Sequence, residues 1–193
     1  MLETKKFENI RGLNGISEKT MEEHYKLYEG YVKKYNEIEE KLKGVDLSAA
    51  NQVSSEIRAL IVERTFALGG VKNHESYFGI LGGDGGEPSG KAKEIIDRDF
   101  GSFEKFKALL AAIGMSSRGW AFVVYDFDLN KLAIHPGDSQ NTYGVWNAEL
   151  IMALDVYEHA YFLDFGIKRA DYIETFFKNI DWKKVDKSLE FVK

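Results

Sequence analysis

From Met21 onward, apolar and aromatic side chains return every three or four positions: Met21, His24, Tyr25, Tyr28, Tyr31, Val32 and Tyr35. That spacing predicts a long amphipathic helix. Ser17 is placed to cap its start, with Glu18 and Lys19 in the first turn, and Gly44 suits the position past its end, near Lys43. A second long helix is expected from Asp46 or Ser48, with Ile57, Leu60, Ile61, Arg64, Leu68, Val71 and Tyr77 on its buried side. Gly69 and Gly70 fall inside it, a poor helical choice unless something bulky packs close by. Residues 1–15 are polar, carry Gly12 and Gly15, and read as an extended lead-in.

The pattern breaks at the glycine-rich run from Gly82 to Pro88. No strand precedes this run and no Gly-Lys-Ser/Thr closes it, so it reads as a linker rather than a phosphate loop. Two shorter helices follow, near Lys91–Asp97 and Ser102–Ile113. The period then changes. Gly119 to Asp126 is β-rich, Asn130 to His135 can pair with it as a hairpin, and Glu149 to Val156 reads as a third strand. His135, in Ile-His-Pro-Gly, reads as a turn residue. Helices are expected near Glu158–Phe165 and Ala170–Asn179, with a last one from Asp181. The whole is an α+β chain: a helical hairpin over residues 1–86, then a mixed part over 87–193.

Composition narrows the partners. The 193 residues are 44% hydrophobic and 30% charged, as in ordinary soluble domains. A net charge of −5 argues against nucleic acid or an anionic membrane as partner. No apolar run approaches a membrane span, and Met1 to Asn9 lacks the apolar core of a secretory signal. The absence of cysteine excludes disulfides, zinc-thiolate sites and thiol nucleophiles, and fits a reducing, cytoplasmic setting.

The chemistry concentrates in Leu154-Asp155-Val156-Tyr157-Glu158-His159-Ala160-Tyr161. An ionised carboxylate in so apolar a run is costly without a partner. A basic group, a tight hydrogen-bond network or a metal would each satisfy it, and Asp oxygen with neutral imidazole suits manganese, iron and zinc alike. The other histidines, His24, His74 and His135, taken singly read as core or turn residues.

Taken together, several stretches resemble the iron/manganese superoxide dismutases. They are His24 in Thr-Met-Glu-Glu-His-Tyr, Tyr31-Val32, Asn73-His74, Gly86-Glu87-Pro88-Ser89-Gly90, Asp99 to Phe106, Arg118-Gly119-Trp120, Asp155 to Tyr161, Arg169 to Ile173, and Asp181-Trp182. The resemblance runs from about Ile16 to Val185, in the family's order. It implies an N-terminal long antiparallel helical hairpin, a C-terminal three-stranded antiparallel sheet with flanking helices, and a metal site between them. It implies His24, His74, Asp155 and His159 as ligands of one manganese or iron ion per chain. Superoxide would be oxidised to oxygen and reduced to hydrogen peroxide, so the metal potential must lie between the two couples. Tyr31 resembles the gateway tyrosine, Trp120 the wall of the pocket, and Arg169 the cation at the funnel mouth. Glu158 resembles the residue that bonds the ligand histidine across the interface of a homodimer or tetramer.

The glutamine that touches metal-bound solvent has two possible origins in the family. The position used by typical iron enzymes is Gly70 here, whereas Gln140 falls where typical manganese enzymes carry it. This resembles the manganese pattern, although Gln140 read alone is an exposed loop amide. Three departures stand out. Seven residues, not the family's eight, separate His24 from Tyr31. An inserted residue is commonly absorbed as a π-bulge, so its absence predicts plain α-helix there, with Tyr28 as a replacement wall or interface residue. Leu27, Tyr28 and Glu29 stand where the family has histidines, and Tyr157 and Phe78 replace tryptophans. These departures motivate an alternative: a metal-binding member with weak dismutase activity. A bundle with no metal is a third reading.

Overall fold

The computed structural model describes residues 1–142 and 144–192. Helix α1 spans Glu18–Leu42 and starts where Ser17 Oγ accepts the Thr20 N–H at 3.1 Å. It is uninterrupted α-helix from His24 to Tyr31, as the seven-residue spacing requires. Helix α2 spans Glu56–Gly79. Contacts of Glu39 and Tyr35 with Arg64, and of Tyr28 with Glu75, run in opposite chain directions, so the two helices are antiparallel.

The expected start of α2 at Asp46 or Ser48 is wrong. Asp46 instead accepts the Ser48 N–H at 2.9 Å and caps one 3₁₀ turn, Leu47–Ala49. Asn51 Oδ1 then takes the N–H groups of Val53 and Ser54. These side chains offer the backbone an alternative to the helix, and α2 waits for its cap at Ser55. Its buried side also begins later than expected. Ala67, Gly70, Val71, Asn73, His74, Tyr77 and Phe78 are buried, whereas Ile57, Leu60, Arg64 and Leu68 are half-buried and Ile61 is exposed. The outer end of the hairpin is tied to α1 through Arg64 rather than packed into the core.

After the linker, α3 (Gly90–Phe100) and α4 (Phe103–Ser116) meet at Gly101, whose φ of +85° reverses the chain at little steric cost. The sheet has the order β2-β1-β3, all antiparallel, with β1 Trp120–Asp126, β2 Lys131–Gly137 and β3 Ala148–Asp155. His135 is not a turn residue: β2 continues through it and Pro136 to Gly137. An edge strand tolerates the proline. Trp120 opens β1 and lies opposite Asp155, the last residue of β3. The sheet therefore delivers both side chains at one end, against α2.

The segment expected as one helix from Glu158 to Phe165 is a 3₁₀ turn, Glu158–Ala160, followed by α5, Phe162–Phe165. Tyr161, at φ −144°, separates them. Helices α6 (Arg169–Phe177) and α7 (Trp182–Ser188) close the chain. Among the described residues, no helix is long and apolar enough to cross a membrane.

Candidate metal centre

Four elements converge. His24 comes from mid-α1, His74 from the last turns of α2, Asp155 from the end of β3, and His159 from the 3₁₀ turn four residues on. One donor atom from each lies within 4.8 Å of the other three. Asp155 Oδ2 is the hub, 3.1 Å from His24 Nε2, 3.2 Å from His159 Nε2 and 3.6 Å from His74 Nε2. Asp155 Oδ1 takes the Tyr157 N–H at 2.9 Å, which fixes the carboxylate plane. His74 Nδ1 lies 2.6 Å from the Gly70 carbonyl. A carbonyl only accepts, so Nδ1 carries the proton and Nε2 turns a bare lone pair inward.

That lone pair has no hydrogen-bond partner in the chain, although His74 is fully buried. An orphaned buried polar atom costs about 1–3 kcal/mol, and an ion would relieve it. Bonds of about 2.0–2.2 Å need donors within about 4.4 Å of one another, so the four atoms are a few tenths of an ångström from such a cage. Three neutral imidazoles and one carboxylate suit manganese or iron.

Protonation states agree. Burial pushes His24 down, and burial with neighbouring His24 pushes His74 down to about 3. Burial would raise Asp155, but His159 beside it and the bonds from both imidazoles hold it well below the carboxylate range. Burial would lower His159, but Asp155 raises it. A pH dependence follows for the metal-free protein. Below about 6.5 the unfolded chain protonates the His24 and His74 imidazoles, while the folded chain, which holds both lowered, resists doing so. The unfolded state then holds more protons, so acid destabilises the fold. His159 acts in the opposite sense only above about 6.5, where the folded chain still holds its proton and the unfolded chain has lost it. The melting temperature of metal-free protein is expected to fall between about pH 6 and pH 4, as stability is lost at up to about 1.4 kcal/mol per pH unit for each imidazole that stays neutral. A melting temperature that is flat or rising toward pH 4 would contradict this assignment.

Around the four residues lies a second layer. Gln140 is buried, not an exposed loop amide. Its Nε2 donates to Tyr31 Oη at 3.2 Å, and its Oε1 accepts from Trp120 Nε1 at 3.1 Å. Trp120 stands edge-on to His74 with ring centres 5.2 Å apart. The paired glycines make this possible. A Cβ on Gly70 would sit 2.6 Å from the Tyr31 ring, and one on Gly69 would collide with the Gln140 carbonyl oxygen. Asn73 completes the layer by donating to that oxygen at 3.0 Å. Asn73 was readable only as a polar neighbour of His74; its partner is 67 residues away.

Tyr28 points elsewhere. It is buried, accepts the Lys5 N–H and donates to Glu75, both at 3.0 Å. Tyr157 stacks on His159 at 5.2 Å. Arg169 donates to Tyr161 Oη at 3.2 Å and to the Ser117 carbonyl at 2.8 Å. Among the described residues its hydrogen-bond partners are a hydroxyl and two carbonyls and none is a carboxylate, and it lines an open cavity of about 470 Å³ with His159, Tyr157 and Arg118. Glu158 is exposed beside the same cavity, and His135 lies apart from the four-residue cluster.

This arrangement has close relatives. Residues 88–188 match the iron/manganese superoxide dismutases, C-terminal domain. The chain is 42% identical to a superoxide dismutase (Fe) of Aquifex pyrophilus over 98% of its own length and 91% of that protein. It is 42% identical to another of Aquifex aeolicus over 93% and 87%. It is 40% identical to a superoxide dismutase (Mn) of Haloarcula marismortui over 55% and 52%. Near-complete coverage on both sides, with a donor set suited to either metal, leads to one assignment: the chain belongs to the iron/manganese superoxide dismutases.

Proposed function

We propose that this chain disproportionates superoxide to oxygen and hydrogen peroxide. One observation carries the proposal: His74 Nε2, unpartnered and buried, faces Asp155 Oδ2 between two further imidazoles. An iron or manganese ion held by His24, His74, Asp155 and His159 would supply the one-electron redox change. The remaining work falls to the chain. Trp120, Phe78 and Tyr157 wall the site with aromatic rings and limit water. Arg169 places an uncompensated positive charge at the open side, which draws an anion inward despite the negative total. Burial and nearby Asp155 raise the Tyr31 phenol, against the Gln140 bond that lowers it, so Oη keeps its proton at neutral pH. From there it can be donated toward the site, with Gln140 holding the hydroxyl in place.

Loading the metal-free protein separately with manganese and with iron, then measuring superoxide loss, tests the reading. Disproportionation well above that of the free ion is the expected result. Stoichiometric metal without it would favour the weakly active alternative, which the residues at Leu27, Tyr28 and Glu29 motivate. The two loadings also address metal preference. The Gly70 and Gln140 positions favour manganese, whereas the names of the two Aquifex relatives favour iron. Tyr31→Phe should leave metal content unchanged, lower turnover by about tenfold and remove the alkaline limb of the pH profile. An unaltered pH profile would remove Tyr31 from proton delivery.

We also infer a homodimer or tetramer in which Glu158 meets the neighbouring subunit's metal site. Exposed Phe162, Leu163 and Ile167 on the same stretch support this. A symmetric contact is made twice, so Glu158→Ala should shift the sedimentation of the metal-bound protein toward monomer. Native protein that sediments as a monomer at micromolar concentration would overturn the inference.

A further inference from the structure

One face of α2 grips the loop that carries Gln140. Thr65, Gly69 and Asn73 are spaced four apart, so they lie along one side of the helix over about 12 Å. Each meets the loop differently. Thr65 Oγ1 accepts from Asn141 Nδ2 at 2.8 Å, while its own hydroxyl donates back to the Val62 carbonyl at 2.7 Å. The back-bond orients the hydroxyl, leaving its lone pairs for Asn141. Gly69 presents no side chain, and the Gln140 carbonyl occupies the room where a Cβ would stand. Asn73 Nδ2 holds that same carbonyl at 3.0 Å and reaches Gln140 Oε1 at 3.4 Å.

The loop itself is braced. Ser139 N–H donates to Thr142 Oγ1 at 2.8 Å, and Ser139 Oγ donates to Asn141 Oδ1 at 2.9 Å. A braced loop moves as a piece, so a displacement at Asn141 is passed to its neighbour Gln140. The adjacent face of the same helix carries Gly70 and His74, which meet Tyr31 and Asp155. One rigid helix therefore sets the position of a proposed metal ligand and the depth of the Gln140 amide.

We propose that Thr65 and Gly69 are positioning residues, which fix how far Gln140 reaches toward the metal site by gripping the 139–142 loop. Neither belongs to the four-residue cluster. Both act through Gln140, whose amide is joined to Tyr31 and Trp120. The consequence for turnover rests on the dismutase reading. The consequence for Gln140 does not.

Trp120 supplies a reporter that works without metal, because its indole N–H donates to Gln140 Oε1. In metal-free protein, Thr65→Val should move the Trp120 indole N–H resonance and speed its hydrogen exchange. Thr65→Ser, which keeps the hydroxyl, should restore both. Adding Thr65→Val to Asn141→Ala should produce no further change, since Asn141→Ala has already removed the Thr65 bond along with the Ser139 brace. Gly69→Ala should act in the same direction and more strongly, because the loop must retreat from the new methyl group. In metal-loaded protein the same ranking is expected for turnover, with about a tenfold loss in Gly69→Ala, unchanged metal content and a shifted midpoint potential. An indole resonance unmoved by Thr65→Val, or moved equally by Thr65→Ser, would overturn the proposal. Protein that shows the predicted indole shifts but never dismutates superoxide would overturn the dismutase reading and leave the positioning role standing.

Discussion

Asp155→Ala is expected to abolish metal retention. Asp155 Oδ2 is the one atom to which all three imidazoles point, at 3.1, 3.2 and 3.6 Å. It is also the only anion in the cluster. Alanine removes a donor and the negative charge, and leaves three buried imidazoles facing a hole. Changes beyond the ligands themselves already cost about 10–100-fold in metal affinity, so loss of a ligand should exceed the upper end of that range. Dialysed Asp155→Ala should hold almost no manganese or iron by elemental analysis. Its melting temperature should also stop responding to added metal, because an ion that binds only the folded state stabilises by mass action. Raised by Asp155 in the native chain, His159 should titrate at lower pH in the variant. Stoichiometric metal after dialysis would show that the three histidines suffice and that Asp155 serves another purpose.

Gln140→Leu should have the next largest effect, and of a different kind. Leucine approximates the volume but deletes both polar ends of the side chain. Trp120 Nε1 loses its acceptor in a fully buried position, and Tyr31 Oη loses its donor. Asn73 keeps the main-chain carbonyl at 3.0 Å, so one of its contacts survives. The orphaned indole N–H costs about 1–3 kcal/mol of stability. Turnover should fall about 10–100-fold with metal content intact, which separates this variant from Asp155→Ala. Gln140→Glu is the informative partner. It keeps an acceptor for Trp120 but replaces the amide donor to Tyr31 by a carboxylate, which should raise the phenol further and move the alkaline limb upward. Wild-type turnover in Gln140→Leu would place the Tyr31 hydroxyl under some other control.

Helix α1 was legible because two independent signals agree: a capping serine at Ser17 and a 3.6-residue period from Met21 to Tyr35. The start of α2 was not legible, because Asp46 and Asn51 bond their own backbone and postpone the helix, which composition does not reveal. The continuation of β2 through His135 was not legible, because a following proline is rare inside strands and only an edge strand admits it. Within the site, Asp155 and His159 stood out as polar residues in an apolar octapeptide. His24 and His74, each unremarkable alone, were brought in by resemblance. Gly69 and Gly70 announced a close neighbour in advance, but nothing on their own helix says that it is the Tyr31 ring and the Gln140 main chain. Those contacts join Gly70 to Tyr31, 39 residues away, and Gly69 to Gln140, 71 away, and local periodicity carries no information at that range.

The order of the donors along the chain has a consequence for biogenesis. His24 and Asp155 are separated by 131 residues, and His159 follows still later. A ribosome therefore releases both long helices, the linker and most of the sheet before the cage can close. Until then His24 and His74 offer only an incomplete pair, with little power to discriminate among passing cations. Selection by all four donors would then await the docking of β3 against the hairpin, a pairing of distant parts of the chain. An ion held there would be walled by Trp120, Phe78 and Tyr157, with the cavity lined by His159 and Arg169 as its open side. For an ion that enters as this joint closes, the cation pool of that moment would bear on which metal is held.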